Sequence, residues 1–303
     1  MLVFYRLIER GLMKLFFGVM FTALIIYFVL LLIPGYPPVD EIPFYQDSGV
    51  SVIAHRGGRA LVPGNTIEAA KNAVDIGSDI IEIDVHLTAD NTLVVRHDAM
   101  IDTTTNGSGL IANMTLSDIQ TYDAGFNEID FPEASWEIPL TVPSLKSLFT
   151  ALPNQRYLIE LKPETLPPAD ALCQLILEHK LQNQVLVGSF HSSVLQYFRR
   201  SCPSIPTSLG KSEITLFVLL ERIKLGHLFN SPGYSIQLPI RYGDFAILTP
   251  GLVKLAQNLN MHVDVWTVND PVELEMVSNI GVDGIITDRP DIAISLRDTP
   301  IGL

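Results

Sequence analysis

From residue 51 onward, short apolar runs alternate with longer amphipathic stretches, and the pair recurs eight times. The runs are V-I-A-H (52–55), I-I-E-I-D-V (80–85), Y-L-I-E-L-K (157–162), V-L-V-G-S-F (185–190), T-S-L (207–209), Y-S-I-Q-L (234–238), H-V-D-V-W-T-V (262–268) and G-I-I-T (284–287). Their length and β-branched content read as buried strands. The intervening stretches, 65–74, 144–151, 168–179, 192–200, 213–224, 250–258, 271–280 and a last one from 290, carry helical periodicity. Asn65 is placed to cap the first of these, with Glu68 completing a capping box and Gly77 ending the helix. Strand-then-helix alternation over ~250 residues is the pattern of an α/β fold, and eight units favour a closed barrel. An open doubly wound sheet is the alternative, but the chain has no glycine-rich dinucleotide loop to support it.

Two stretches fall outside the repeat. T-L-V-V-R (92–96) reads as a hairpin partner of the second strand, joined through 89–91. Residues 99–142 are irregular, with one short helical stretch at 115–120, and a loop that long in a compact domain is usually functional.

The N-terminus departs from a soluble pattern. Residues 15–33 form a 19-residue run without a charge, long enough to cross a bilayer as one helix. Arg6, Arg10 and Lys14 precede it, and Asp40, Glu41 and Asp47 follow. The positive-inside rule then puts the N-terminus in the cytosol and the remainder on the periplasmic, extracellular or lumenal side. A cleaved signal peptide is the rival reading, but its apolar region is usually shorter, ~7–15 residues, and ends at a small-residue site. The expected organisation is a cytosolic segment (1–14), an anchor (15–34), a proline-rich extended spacer (35–50) and a barrel (51–303) with an insertion at about 99–142.

Net charge of −13 argues against nucleic-acid binding, which rests on a basic surface. An anionic substrate would need local cations to hold it. Cys173 and Cys202 match no metal or redox spacing and read as packing residues; a disulfide is possible in an oxidising compartment.

In a closed barrel the working residues gather where strands end and loops begin. Unusual polar residues do fall there: His55-Arg56 after the first strand, Glu82-x-Asp84 on the second, Glu160-x-Lys162 on the third and Trp266-Thr267 on the seventh. Residues at i and i+2 on a strand share a face, so each acidic pair points one way. Glu82, Asp84 and Glu160 form an all-oxygen cluster that suits Mg²⁺ or Ca²⁺ better than Zn²⁺; ordinary salt-bridged acids are the alternative. His55 and His97 can provide one base and one acid near neutral pH, or serve as ligands. Arg56 and Lys162 are the cations a phosphate would need, unless they only pair with the acids. Trp266 offers a flat wall to a ligand, or is core. The other histidines read as structural.

The motifs H-R-G-G (55–58), N-T-I-E-A-A (65–70), E-I-D-V (82–85), H-D (97–98), T-T-x-G-x-G (104–109), E-L-K (160–162) and W-T-V-N (266–269) resemble those of the glycerophosphodiester phosphodiesterases, in that family's order and spacing, over residues 51 to about 297. The resemblance implies a TIM (β/α)8 barrel with a small insertion after the second strand. It implies hydrolysis of a glycerophosphodiester to an alcohol and sn-glycerol 3-phosphate with a divalent cation, Mg²⁺ or Ca²⁺. By similarity His55 and His97 are the acid/base pair, Glu82, Asp84 and Glu160 the metal ligands, and Arg56 and Lys162 the phosphate clamp. The family's usual mechanism has a neighbouring substrate hydroxyl attack phosphorus, giving a cyclic phosphate that water opens. Two positions depart from the family pattern: Gly64 stands where a glutamate is usual, and Thr103 where an arginine is usual. A lysophospholipase D on the same site, acting on lysolipids at the membrane, is the competing expectation; a non-catalytic binding protein is a third. Oligomeric state is not legible.

Overall fold

The computed structural model describes residues 2–45, 49–126 and 138–298, with side chains from residue 12 onward. Asp47 and residues 127–137 of the expected insertion lie outside that set. In chain order the elements are α1 (Leu2–Leu32), β1 (Ser51–Ala54), α2 (Ile67–Asp75), β2 (Ile80–Leu87), β3 (Leu93–Val95), α3 (Leu116–Ile119), α4 (Leu145–Ala151), β4 (Tyr157–Leu161), α5 (Pro167–His179), β5 (Val185–Gly188), α6 (Ser192–Ser201), α7 (Lys211–Arg222), β6 (Ser235–Leu238), β7 (Arg241–Tyr242), β8 (Phe245–Ala246), α8 (Pro250–Asn258), β9 (His262–Val265), α9 (Pro271–Ile280), β10 (Gly284–Thr287) and α10 (Pro290–Asp298).

Strands β5, β4, β2, β1, β10, β9 and β6 pair in that order, all in parallel, with β3 antiparallel on β2. The ring is completed by two single bridges, Val187 to Thr207 and Ser208 to Ser235. The T-S-L run is therefore the eighth strand, reduced to two bridged residues.

Alternation along the strands sorts the core into an inside and an outside. Ala54, Ile81, Ile83, Ile159 and Val187 face outward and meet the helix layer. Ile53, Ile80, Leu158, Leu186 and Ile286 face inward and close over Phe44 from below. Two residues further along those inward columns come His55, Glu82, Glu160, Gly188 and Asp288. A buried apolar layer thus lies directly beneath a polar one. Burying Phe44 there is worth about 1.5–3 kcal/mol by transfer, and Phe44→Ala would cost about 3–5 kcal/mol once the cavity is counted.

The segment expected as a spacer is seated under the barrel. The Val39 N–H bonds to the Leu259 carbonyl (3.0 Å), Arg156 donates to the Phe44 carbonyl (3.1 Å), and the Tyr45 ring stacks on His262 at 3.5 Å between centroids. Proline content made this stretch extended; its aromatic residues then found the open base of the barrel.

Three further local readings change. Thr66, not Asn65, caps α2, accepting from the Ala69 N–H, because Asn65 is drawn off to the site below. Cys173 and Cys202, on α5 and at the end of α6, are joined as a disulfide, since the two neighbouring helices bring their Cα atoms to 5.9 Å. The two-residue strands β7 and β8 form a hairpin after β6 that no sequence pattern announced. The insertion after the second strand builds a small core of its own from Ile101, Ile111, Ile119, Ala124, Leu140 and Val142, against Val94 of β3.

Candidate active site

All eight residues singled out from the sequence (His55, Arg56, Glu82, Asp84, His97, Glu160, Lys162 and Trp266) line one cavity of about 650 Å³ at the C-terminal ends of the strands. The first strand delivers its share through a sharp turn. Arg56, Gly57 and Gly58 all adopt positive φ (50°, 80° and 85°), and a Cβ at Gly57 would stand 2.9 Å from that of Ala69. Only glycine combines that φ with that closeness. The turn aims the Arg56 N–H at Glu82 Oε2, 2.8 Å away, and its guanidinium at Asp84, 3.5 Å away. Gly64 packs against the same turn: a Cβ there would lie 2.8 Å from that of Arg59. A side chain such as the family's usual glutamate therefore has no room at this position.

Oxygens of Glu82, Asp84 and Glu160 lie within 4.8 Å of one another, the first two buried and the third half-buried. Asn65 fixes the middle one from both sides: its Nδ2 donates to Asp84 Oδ2 (3.0 Å), and its Oδ1 accepts from the Asp84 N–H (3.2 Å). Asn65 manages this at φ 57°, a region asparagine tolerates better than most residues. Burial, and then the charge of Asp84, push Glu82 well above the usual carboxylate range and Glu160 up to about 7. Asp84 is held below that range in spite of its burial, by Lys162, Arg56, His97 and His55. Three acids crowded this closely favour a cation among them, and the hard oxygen set fits a divalent one.

Lys162 Nζ reaches Glu160 Oε1 at 3.1 Å and Asp84 Oδ1 at 3.5 Å. Burial works against its charge, but those two acids hold its pKa above the usual lysine value. Arg56 and Lys162 are thus both ion-paired with the acids and lining the cavity, the two roles the sequence left open. Trp266 meets Phe190 edge-on at 5.6 Å between ring centroids, and both line the cavity wall.

The histidines have separate supports. His55 Nδ1 donates to Asp288 Oδ1 at 2.6 Å, leaving Nε2 3.9 Å from Glu82. Asp288 also accepts from Arg59 Nε (2.9 Å) and Asn269 Nδ2 (2.8 Å), and these partners hold its pKa far below the usual range despite burial. His97 Nδ1 lies 3.2 Å from Asp98, and buried His86 donates to the His97 carbonyl at 3.0 Å. Burial lowers the pKa of both His97 and His86, outweighing the pull of Asp84. His86, read as structural, therefore props the backbone of a cavity residue. Asp288 and Arg59 were missed altogether, and Asn269 was quoted only as the end of the W-T-V-N motif. The strand-end rule would have found Asp288, which ends G-I-I-T just as His55 ends V-I-A.

The sequence profile of the Glycerophosphoryl diester phosphodiesterase family matches residues 55–292. A glycerophosphodiester phosphodiesterase of Caldanaerobacter subterraneus subsp. tengcongensis is 32% identical over 251 residues, covering 81% of this chain and 96% of the relative. One of Bacillus subtilis is 30% identical over 258 residues, covering 80% and 85%. Among solved structures, an Oleispira antarctica phosphodiesterase in complex with the product sn-glycerol-3-phosphate superposes with a TM-score of 0.67 at 25% identity, covering 82% of this chain and 97% of that one. A parallel barrel with its acids, histidines and cations at the strand ends defines a phosphoric diester hydrolase. The chain belongs to the glycerophosphoryl diester phosphodiesterase family.

Proposed function

We propose that this enzyme hydrolyses glycerophosphodiesters to an alcohol and sn-glycerol 3-phosphate, with His55 and His97 as its acid and base. The observation that carries the reading is the convergence of both histidines, three carboxylates and two cations on one cavity. Glu82, Asp84 and Glu160 would hold a divalent cation, Mg²⁺ or Ca²⁺. When bound, such an ion supplies Lewis-acid polarisation of the phosphoryl oxygens.

The remaining chemistry belongs to the chain. Arg56 and Lys162 bind the phosphate and meet the charge that grows on its oxygens. His97, kept neutral by burial, takes the proton of the attacking glycerol hydroxyl at its Nε2. His55, braced at Nδ1 by the Asp288 carboxylate, gives a proton from Nε2 to the departing alcohol oxygen. A P–O bond forms to the neighbouring hydroxyl as the P–O bond to the alcohol breaks. Water then opens the cyclic phosphate with the two histidines in exchanged roles, which restores both protonation states.

A second reading is favoured by the shape and position of the cavity. Leu209, Ile214, Val218, Leu238 and Ile247 make an apolar wall beyond the charged floor, room a small polar diester does not use. α1 contains a stretch, Leu12–Leu32, long and apolar enough to cross a membrane. The basic residues before it and the acidic ones after it support an anchored enzyme with its barrel outside the cytosol. The Cys173–Cys202 disulfide supports the same side, because disulfides persist in oxidising compartments. An enzyme so placed would take a lysophospholipid with its acyl chain along that wall. Turnover of glycerophosphocholine and lysophosphatidylcholine by the full chain, with Mg²⁺, with Ca²⁺ and with EDTA, separates the two. Loss of all turnover in EDTA is expected. Activity on the lysolipid alone would replace the first reading by the second, and activity of His55→Ala at wild-type level would remove the acid/base assignment.

A further inference from the structure

Tyr27 lies within the apolar run of α1, yet its hydroxyl donates to the Ile223 carbonyl at the end of α7, 3.0 Å away. Three residues later, the Leu30 carbonyl accepts from His227 Nε2 at 3.3 Å. The Tyr36 N–H then bonds to the His227 carbonyl at 2.9 Å, and Val39 reaches Leu259 just below α8. The barrel therefore begins to touch α1 before the apolar run has ended, with no free tether between them. The contacts also descend in order, from the end of α7, through the turn at Gly226–Leu228, to the foot of α8. Tyr27 thus meets the base end of α7, and residues 12–26 of α1 before it are exposed, which leaves the outer face of α7 uncovered.

We propose that this flank of the barrel rests on the bilayer that holds α1, with the outer face of α7 and the β7–β8 hairpin seated in the interface, so that the cavity opens at the lipid surface. The inference rests on reading α1 as a membrane anchor. Leu216, Leu219 and Ile223, spaced by three and four, make an exposed apolar stripe along α7. The hairpin carries Tyr242 and Phe245, 68% and 76% exposed. Arg222 ties the hairpin to α7 by donating to the Ala246 carbonyl at 2.6 Å. The exposed charges on α7 itself, Lys211 and Arg222, are basic and suit phosphate head groups, in a chain whose net charge is −13.

The opposite flank differs. α2 stands across the ring from α7 and turns Glu68, Lys71 and Asp75 to solvent. Among the described residues, the exposed stripe of α7 and the aromatic hairpin lie on the flank that α1 touches, and α2 carries no such stripe. That side also leads inward: Ile214 and Val218 of α7 and Tyr242 of the hairpin line the cavity. A chain entering between them from the bilayer stays in apolar contact as far as the charged floor. Apolar area alone does not commit a surface to lipid, but an apolar stripe hydrogen-bonded to a membrane span has no other neighbour at that depth.

The test uses the full chain in nanodiscs. Both native cysteines are consumed in the disulfide, so a single introduced cysteine takes an environment-sensitive fluorophore without competition. Labels at Leu24→Cys (in the span), Leu219→Cys, Phe245→Cys and Lys71→Cys are compared for quenching by brominated lipids. Labels at 24, 219 and 245 are expected to lose at least half of their emission, and the label at 71 none. Quenching at 24 with 219 and 245 behaving like 71 overturns the docking and leaves the anchor standing. Absence of quenching at 24 overturns the anchor, and the docking with it.

Discussion

Asp288 Oδ1 stands 2.6 Å from His55 Nδ1, where β10 and β1 lie side by side, so the residue after β10 braces the histidine that ends β1. Removing the carboxylate while keeping the shape tests what that brace does. Asp288→Asn is expected to lower kcat by about 10²-fold, in line with the worth of a well-oriented acid–base group. The loss should fall on kcat and leave KM nearly unchanged, because Asp288 touches the histidine and does not line the cavity. A role in folding alone would change Tm and leave kcat of the folded enzyme in place.

His97 is assigned as base, and burial lowers its pKa. A base must be unprotonated to work. Activity should therefore hold as pH falls past the usual histidine value of about 6.5 and fail only below it. His97→Ala should cost about 10²–10⁴ in kcat at neutral pH and abolish that acid limb. A pH–rate profile of kcat/KM on both proteins decides it.

Glu160 carries a carboxyl pushed up to about 7 by burial and Asp84. A raised carboxylate pKa stabilises the fold below its unfolded value, about 4.3, and that contribution is lost as pH rises through 7. Metal-free wild type should thus melt at progressively lower temperature between about pH 5 and 7, and Glu160→Gln should show a flatter dependence. The same substitution should weaken divalent-ion affinity about 10- to 100-fold or more, read by titration calorimetry.

At the opposite end of the barrel, Asp264 is wholly buried and accepts hydrogen bonds from Ser235 and Tyr45. Burial pushes it up to about 6 against those bonds. Tyr45→Phe removes one donor and should cost about 1–3 kcal/mol, measured by chemical denaturation. The loss should grow as pH rises through 6, where the carboxyl takes its charge, with kcat little changed.

Much of this was legible because two rules act on neighbouring residues. Alternation put Glu82 with Asp84 and Glu160 with Lys162 on common faces, and barrel architecture put those faces together. What escaped depended on partners distant in sequence. Asn65 looked like a cap because the nearest backbone was α2, yet Asp84, nineteen positions on, competed for its side chain and won. The cysteines lacked a recognisable spacing because their pairing depends on how α5 packs on α6. Tyr45 and Asp264, 219 positions apart, meet only once the ring has closed. The β7–β8 hairpin escaped for a different reason: strands of two residues carry no periodicity.

The T-S-L strand meets its neighbours through two backbone hydrogen bonds on each side, whereas β2 and β4 share five registered pairs. A cylinder opens along its thinnest seam, so amide hydrogens there should exchange earliest among the strands. On one side of that seam, β5 lies inside the 29-residue loop closed by Cys173 and Cys202; on the other stands α7, with α1 at its end. This short seam is thus bordered by a covalent clasp on one side and by the contact of α7 with α1 on the other.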